Sequence, residues 1–480
     1  MSVDEKNRTR RVVVIGGGVT GLAAAHRLFE KGGDAFGVLL LEASSRLGGV
    51  VRTYQRDGFL LEGGPDSFIS EKPAALELAR RLGLASHVIG TNEAYRRSFV
   101  ARGSRLYPTP PGFQLLAPSR LGPLVTSPLF SLRGKARMAL DLVLPRRAAT
   151  NEDDESLADF VRRRLGREAL ERIAQPMAGG VHTADPELLS LRATFPRFVE
   201  MERGHRSVIL ALWRASRRER VNGAGRAASG ARYSLFLSFD RGMQTLTDAL
   251  AARLPADSIR LNTRAESLSY DAATRRWRVT TDKGETHDAD ALVVALPAHA
   301  AARLVRGTDA RLAEELDAIP YASTATVNLA YRRASIAHPL DGFGFVVPHA
   351  ERRATIACSF SSVKFEGRAP AGHVLLRAFV GGALQPETFA LDEDRMVAAV
   401  RRDLRDLLGE RAAPLFTHVE KWPRSMAQYH VGHLARVARI RERLRDLLTL
   451  RLAGNAFDGA GLPDCVRNGE AAADELSHTL

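Results

Sequence analysis

Cysteine is nearly absent: Cys358 and Cys465 are the only two in 480 residues. That excludes a disulfide framework, and no Cys-x-x-Cys or His/Cys spacing suggests zinc. A reducing cytosol suits such a chain. Long hydrophobic runs are missing too. No window approaches the roughly 20 apolar residues that span a bilayer, and the opening "MSVDEKNRTRR" lacks the apolar stretch of a signal peptide. A soluble protein, or one resting on a membrane face, is expected. Also missing are the context of a Ser/His/Asp triad, an HExxH pattern and an acidic metal cluster, so neither a protein nucleophile nor a metal is expected to carry the chemistry. Lysine is scarce, with seven among 69 basic residues, against 55 acidic ones. The resulting charge of +14 and pI near 10.3 are open to nucleic acid, an anionic membrane or acidic small molecules, and a coding bias toward Arg accounts for them equally well. The arginines are scattered and not interleaved with stacking aromatics, which argues against nucleic acid.

What is present is enough material for about two to four domains, with 45% hydrophobic and 26% charged residues, a globular composition. "RVVVI" (11–15) reads as a buried parallel strand, and the Ala/Leu-rich stretch after it as a helix beginning near Gly18. Gly16, Gly18 and Gly21 between them occupy the G-x-G-x-x-G positions: one makes the turn, one lets backbone approach a pyrophosphate, one lets helix pack on strand. The second strand, "FGVLLLE", ends in Glu42, where a carboxylate would bind a free ribose diol. An acid there prefers FAD or NAD to NADP. Directly afterwards, "ASSRLGGVVRT" sets Arg46, Gly48, Gly49 and Arg52 where two glycines and two cations can close over a dinucleotide.

This R-x-G-G-x-x-x-T arrangement resembles that of the flavin-dependent amine oxidases and their relatives, and the resemblance implies FAD, non-covalently held, in place of NAD. It also explains a second Gly-rich turn near the end of the chain, "LAGNAFDGAGLPDCVRNG" (452–469). There Gly454, Asn455, Gly459, Gly461 and Asp464, followed by a helix, resemble the family's closing flavin motif; a helix N-terminus aimed at N1/O2 of the ring stabilises its reduced form. The implied fold is α/β: a Rossmann-like FAD-binding domain from 9–66, 238–298 and 437–480, a mixed α+β substrate domain from 67–92, 206–237 and 299–436, and a mostly helical insert over 93–205. Apolar stretches flanked by arginine in that insert, "PGFQLLAP", "LGPLVTSPLF" and "MALDLVLPRR", have the pattern of an interfacial surface, and equally that of helices covering a pocket. A cytoplasmic protein, with peripheral contact to the membrane face and assembly as a homodimer both open to it, is the corresponding expectation.

Further stretches narrow the resemblance to the protoporphyrinogen oxidase family, the porphyrinogen-oxidising branch of these flavoproteins, over nearly the whole chain: "EGGPDSF" (62–68), "HTADPELLSLRATFPRFVEMERGHRSVI" (182–209), "GFGFVVP" (342–348), "SSVKFEGRAP" (361–370) and "WPRSMAQYHVGHL" (422–434). The resemblance implies that the flavin takes hydride from a ring methylene, with molecular oxygen as acceptor and peroxide as product. It implies that Arg97 grips a substrate carboxylate, that Phe365 packs on a pyrrole ring, that Gly180 meets the macrocycle by its backbone and that Val346 lines the opposite wall. Asp66 stands where many members carry Asn; ionised, it would orient a pyrrole N–H or accept its proton as general base, and an Asx turn after Pro65 is the plain alternative. Ala184 stands where a glycine is usual before Asp-Pro, and His182 reads as a wall residue. Protoporphyrinogen IX is the expected substrate and coproporphyrinogen III, with its four carboxylates, the alternative. More distant readings are another amine or carotenoid oxidase and an escort protein for small GTPases, which would not need the intact cradle.

Overall fold

In the computed structural model, residues 9–147, 154–221 and 236–480 are described. The start of the acidic stretch, 151–153, and most of the segment 222–237 fall outside them. The β-branched Arg10–Ile15 is the middle of a five-stranded parallel sheet, in the order Ile259–Arg260, Phe36–Leu41, Arg10–Ile15, Ala291–Val294 and Leu450–Leu452. Strand alternation divides its residues between two cores. Val12 and Val14 pack with the helices Val19–Gly32, Gln244–Ala251 and Leu462–Thr479, while Val13 and Ile15 pack on the other face with Ala298–Val305 and Ala310–Asp317. Burial on both faces is what a β-branched run without polar alternation requires.

The first and last helices lie against each other. A Cβ at Gly469 would run into the Thr20 carbonyl, so only glycine permits that approach. The termini of the described chain therefore meet on one face of the sheet.

A second, seven-stranded sheet runs in the order Phe416–Ala427, Tyr321–Arg332, His373–Gly381, Thr355–Phe360, Gly344–Val346, Phe99–Arg102 and Arg105–Pro108. Its last two members fall inside the segment 93–205 that was expected to be mostly helical. "FVAR" and "RLYP" form a hairpin turning at Gly103 (φ +58°), and pair onward through Val346 and Val100. Hairpin hydrogen bonding and pairing with the large sheet decide for strand at residues 99–108. The remainder of the segment does supply helices, Leu157–Arg164, Gln175–His182 and Pro196–His205 among them, around a core they share with Val100, Ala427 and Tyr429.

Candidate functional site

The first turn is built as its spacing requires. Gly16 donates its N–H to Leu41 O (2.8 Å), tying the end of the first strand to the end of the second. A Cβ at Gly21 would collide with the Gly16 carbonyl, so the helix can start this close only with glycine there. That helix, Val19–Gly32, is N-capped by Gly18 with no side-chain cap and no acid in its first turn. No side chain competes for its N–H groups, which leaves them for an anion. Glu42 stands at the end of the second strand, its Oε2 accepting from Gly17 N (2.6 Å) and its Oε1 from Ser44 N (2.7 Å).

The second pair of glycines closes against the first. Gly48 N–H donates to Gly17 O (2.8 Å), and a Cβ on Gly49 would stand 3.1 Å from the Gly18 Cα. The two backbones thus form one cradle that side chains would fill. Arg46, expected over a dinucleotide, is spent on its own turn, donating to Leu47 O (3.0 Å), Val51 O (3.1 Å) and Gly49 O. Its part is to hold the turn's shape. Arg52 lies over the Tyr54 ring (4.7 Å) and pairs with Glu420 (3.4 Å) from the large sheet.

The far turn meets the near one across Ala295 and Leu296. A Cβ on Gly16 would lie 3.0 Å from Leu296 Cδ2, and one on Gly454 would lie 3.8 Å from Leu296 O. Asn455 donates through Nδ2 to Ser425 O (3.0 Å), and its own carbonyl accepts from the Tyr429 hydroxyl (2.7 Å). Gly461 N-caps the 18-residue terminal helix, again without a side-chain cap. Asp464 in its first turn is buried, and its charge is met by Lys72 (2.5 Å) and Arg467 (3.2 Å). Two helix N-termini without side-chain caps and two glycine turns that meet across Ala295 and Leu296 fit a dinucleotide carrying an electron-accepting ring.

The substrate residues divide. A Cβ at Gly180 would touch Val346 Cγ1 at 3.6 Å, so these two are neighbours. Arg97 leads into the strand whose Val100 pairs with Val346; it is largely exposed and its Nη1 meets Asp341 at 3.0 Å. Phe365 departs from expectation. At 1% exposure it belongs to the packed interior, beneath Lys364 (5.1 Å) and Arg368 (5.6 Å), not to an open wall. A ring flanked by two cations gains more from those contacts than from solvent.

Asp66 sits among charges that the sequence did not join to it. Lys364 Nζ lies 3.0 and 3.2 Å from its two oxygens, Ser67 Oγ donates at 2.7 Å, and Arg377 stands 3.9 Å away. Burial opposes its charge, but Lys364 and Arg377 prevail and hold the carboxyl well below the ordinary Asp range. The proton-accepting role fits poorly with so depressed a group, the orienting role well. Nearby Glu62 is pushed the other way, to about 7, by burial, against bonds from Met243 N and Thr53. The signal for Arg377 was a lone cation in the apolar strand "HVLLRAFVG"; Glu62 stood in a motif already singled out. Among the described residues no group of His, Cys, Asp or Glu could hold a metal ion.

With this geometry in place, similarity to known proteins is informative. The profile of the family described as flavin containing amine oxidoreductase matches residues 19–477. The coproporphyrinogen III oxidase of Bacillus subtilis (strain 168) is 35% identical over 476 residues, covering 97% of each chain. The chloroplastic protoporphyrinogen oxidase of Nicotiana tabacum is 30% identical, over 98% of this chain and 85% of that protein. A solved structure named "Putative protoporphyrinogen oxidase", from Exiguobacterium sp. 255-15, superposes with a TM-score of 0.85 at 30% identity, over 98% of this chain and 99% of the other.

Proposed function

The chain belongs to the flavin containing amine oxidoreductase family, and we propose that this FAD-dependent oxidoreductase oxidises a porphyrinogen, coproporphyrinogen III in preference to protoporphyrinogen IX. The observation that supports the preference is identity of 35% and 38% to two coproporphyrinogen III oxidases, a third standing at 31%, against 27–31% to plant protoporphyrinogen oxidases. A tetracarboxylate also suits a chain whose excess charge is nearly all arginine. In balance, porphyrinogen and three O2 give porphyrin and three H2O2, six electrons in all.

The turn at Gly16, Gly17 and Gly18 with the first helix would hold the pyrophosphate, Glu42 the ribose, Gly48 and Gly49 the closing side, and the Gly454 to Gly461 turn with the terminal helix the ring end. When bound, the flavin supplies the two-electron acceptor. The protein's own part is to bind, orient and keep a charge fixed. Arg97 grips a carboxylate by its planar fork, and Gly180 with Val346 forms a smooth wall for the macrocycle. Asp66, kept ionised by Lys364 and Arg377, accepts a hydrogen bond from a pyrrole N–H and so turns a methylene toward the acceptor.

Anaerobic mixing of the flavin-loaded protein with each porphyrinogen tests this. Bleaching of the flavin by both is expected, with kcat/KM at least ~10-fold higher for coproporphyrinogen III; equal or reversed values would return the assignment to protoporphyrinogen, and no bleaching would end it. Peripheral membrane contact is a second proposal, supported by exposed Val125, Leu132, Leu140 and Val143 within one stretch that also carries Arg133 and Lys135. No helix among the described residues is long and apolar enough to cross a membrane. Flotation with anionic vesicles, lost in L132E/V143E, would bear this contact out; flotation equal in both proteins would refute it.

A further inference from the structure

The turn that closes the cofactor site has almost no regular secondary structure of its own, and what fixes it comes from elsewhere in the chain. Tyr429 follows the edge strand Phe416–Ala427 of the seven-stranded sheet. Its hydroxyl donates to Asn455 O (2.7 Å) and accepts from Gly459 N–H (3.0 Å), joining two backbone groups four residues apart across the turn. The side chain is 3% exposed, so its hydroxyl meets the two groups from the interior, while Asn455 and Gly459 themselves are partly exposed. Its ring lies flat on His433 (centroids 4.0 Å apart, planes 10° apart), a residue also 3% exposed. The same strand end holds Asn455 a second time through Ser425 O (3.0 Å).

Two backbone hydrogen bonds from one rigid hydroxyl define the path from Gly454 to the helix N-cap at Gly461. A phenylalanine would fill the same volume and keep the stack, yet leave a carbonyl and an N–H unpaired, and the turn would have to open to satisfy them. From this geometry we infer that Tyr429 is a positioning residue: it acts through the Asn455 carbonyl and the Gly459 amide to set the closing turn in the shape that receives the flavin. Substrate-sheet and cofactor turn are thereby one mechanical unit, because the strand supplying Tyr429 also reaches the opposite side of the cradle, through Trp422 Nε1 to Gly63 O (2.8 Å) and Glu420 to Arg52 (3.4 Å). The inference rests on the flavin reading of that turn.

The test measures FAD binding directly. Purified wild type, Y429F and H433F are stripped of FAD and titrated with it, following flavin fluorescence, with circular dichroism as the control for folding. Y429F is expected to keep its dichroism and to raise the FAD dissociation constant at least ~10-fold, the loss of two hydrogen bonds. H433F keeps an aromatic stack and both Tyr429 bonds but loses the imidazole's own bond to the Phe457 backbone in the same turn. A smaller rise than in Y429F is therefore expected, and a rise as large as that of Y429F overturns the hydroxyl's part. Unchanged affinity in Y429F overturns the positioning role. If Y429F does not fold, hydrogen exchange of the Gly459 amide in the wild type takes its place: protection of that amide, which donates to the Tyr429 hydroxyl, is expected, and exchange as fast as at exposed Asp458 overturns the role equally. Failure of wild type itself to bind FAD would strike the flavin reading instead, so the two failures are distinguishable.

Discussion

Asp66 matters as a fixed negative charge. Because burial alone would raise its pKa and Lys364 with Arg377 reverse that, removing one cation should weaken the depression, with Arg377 and Ser67 still opposing burial. In K364M kcat/KM is therefore expected to fall as pH drops toward the ordinary Asp range, ~4, where wild type stays level; identical profiles would show that the charge of Asp66 is not needed. His433 makes the complementary case. Burial lowers its pKa to about 4 from 6.5, so the folded state stays neutral where the unfolded chain takes up a proton. The sign follows: its contribution is complete above pH 6.5 and is lost as pH falls toward 4, worth about 3 kcal/mol over that window. Chemical denaturation of wild type and H433F across that range should show a flatter pH dependence for the variant. Neither group's setting was legible in the sequence, since Lys364 lies 298 residues from Asp66, and His433 owes its shift to burial.

Among elements, the terminal helix depends most on one small residue. In G469V the new side chain would meet the Thr20 carbonyl and prise this helix from the first one. A loss of about 2–4 kcal/mol in stability is expected, together with lower FAD content on purification; full FAD occupancy would mean the helices need not touch. The elements that local pattern decides were readable: the strand "RVVVI" and the helix after Gly18. The hairpin Phe99–Arg102 and Arg105–Pro108 was not, because it sits beside proline-rich sequence and earns its place by pairing with a strand some 245 residues later. The burial of Phe365 was not legible for a related reason. Its motif is local, but whether an aromatic faces a cleft or the interior is decided by Lys364, Arg368 and the sheet behind them.

At the scale of the whole molecule, FAD should act as a structural member. Ligand that binds only the folded state stabilises it by about 2.7 kcal/mol at 100 times its dissociation constant. Stripping FAD is thus expected to lower the melting temperature and to speed hydrogen exchange most at residues 454–461, where backbone groups depend on Tyr429 and Asn468; uniform exchange in both forms would contradict this. The position of those residues has a bearing on how the protein is made. The first strand pairs with Ala291–Val294, which pairs in turn with Leu450–Leu452, and the last helix rests on the first. A nascent chain therefore holds its opening glycine turn closed only on the side of Leu41, Gly48 and Gly49 until residues 450–469 have been made, and prosthetic-group loading belongs after that point.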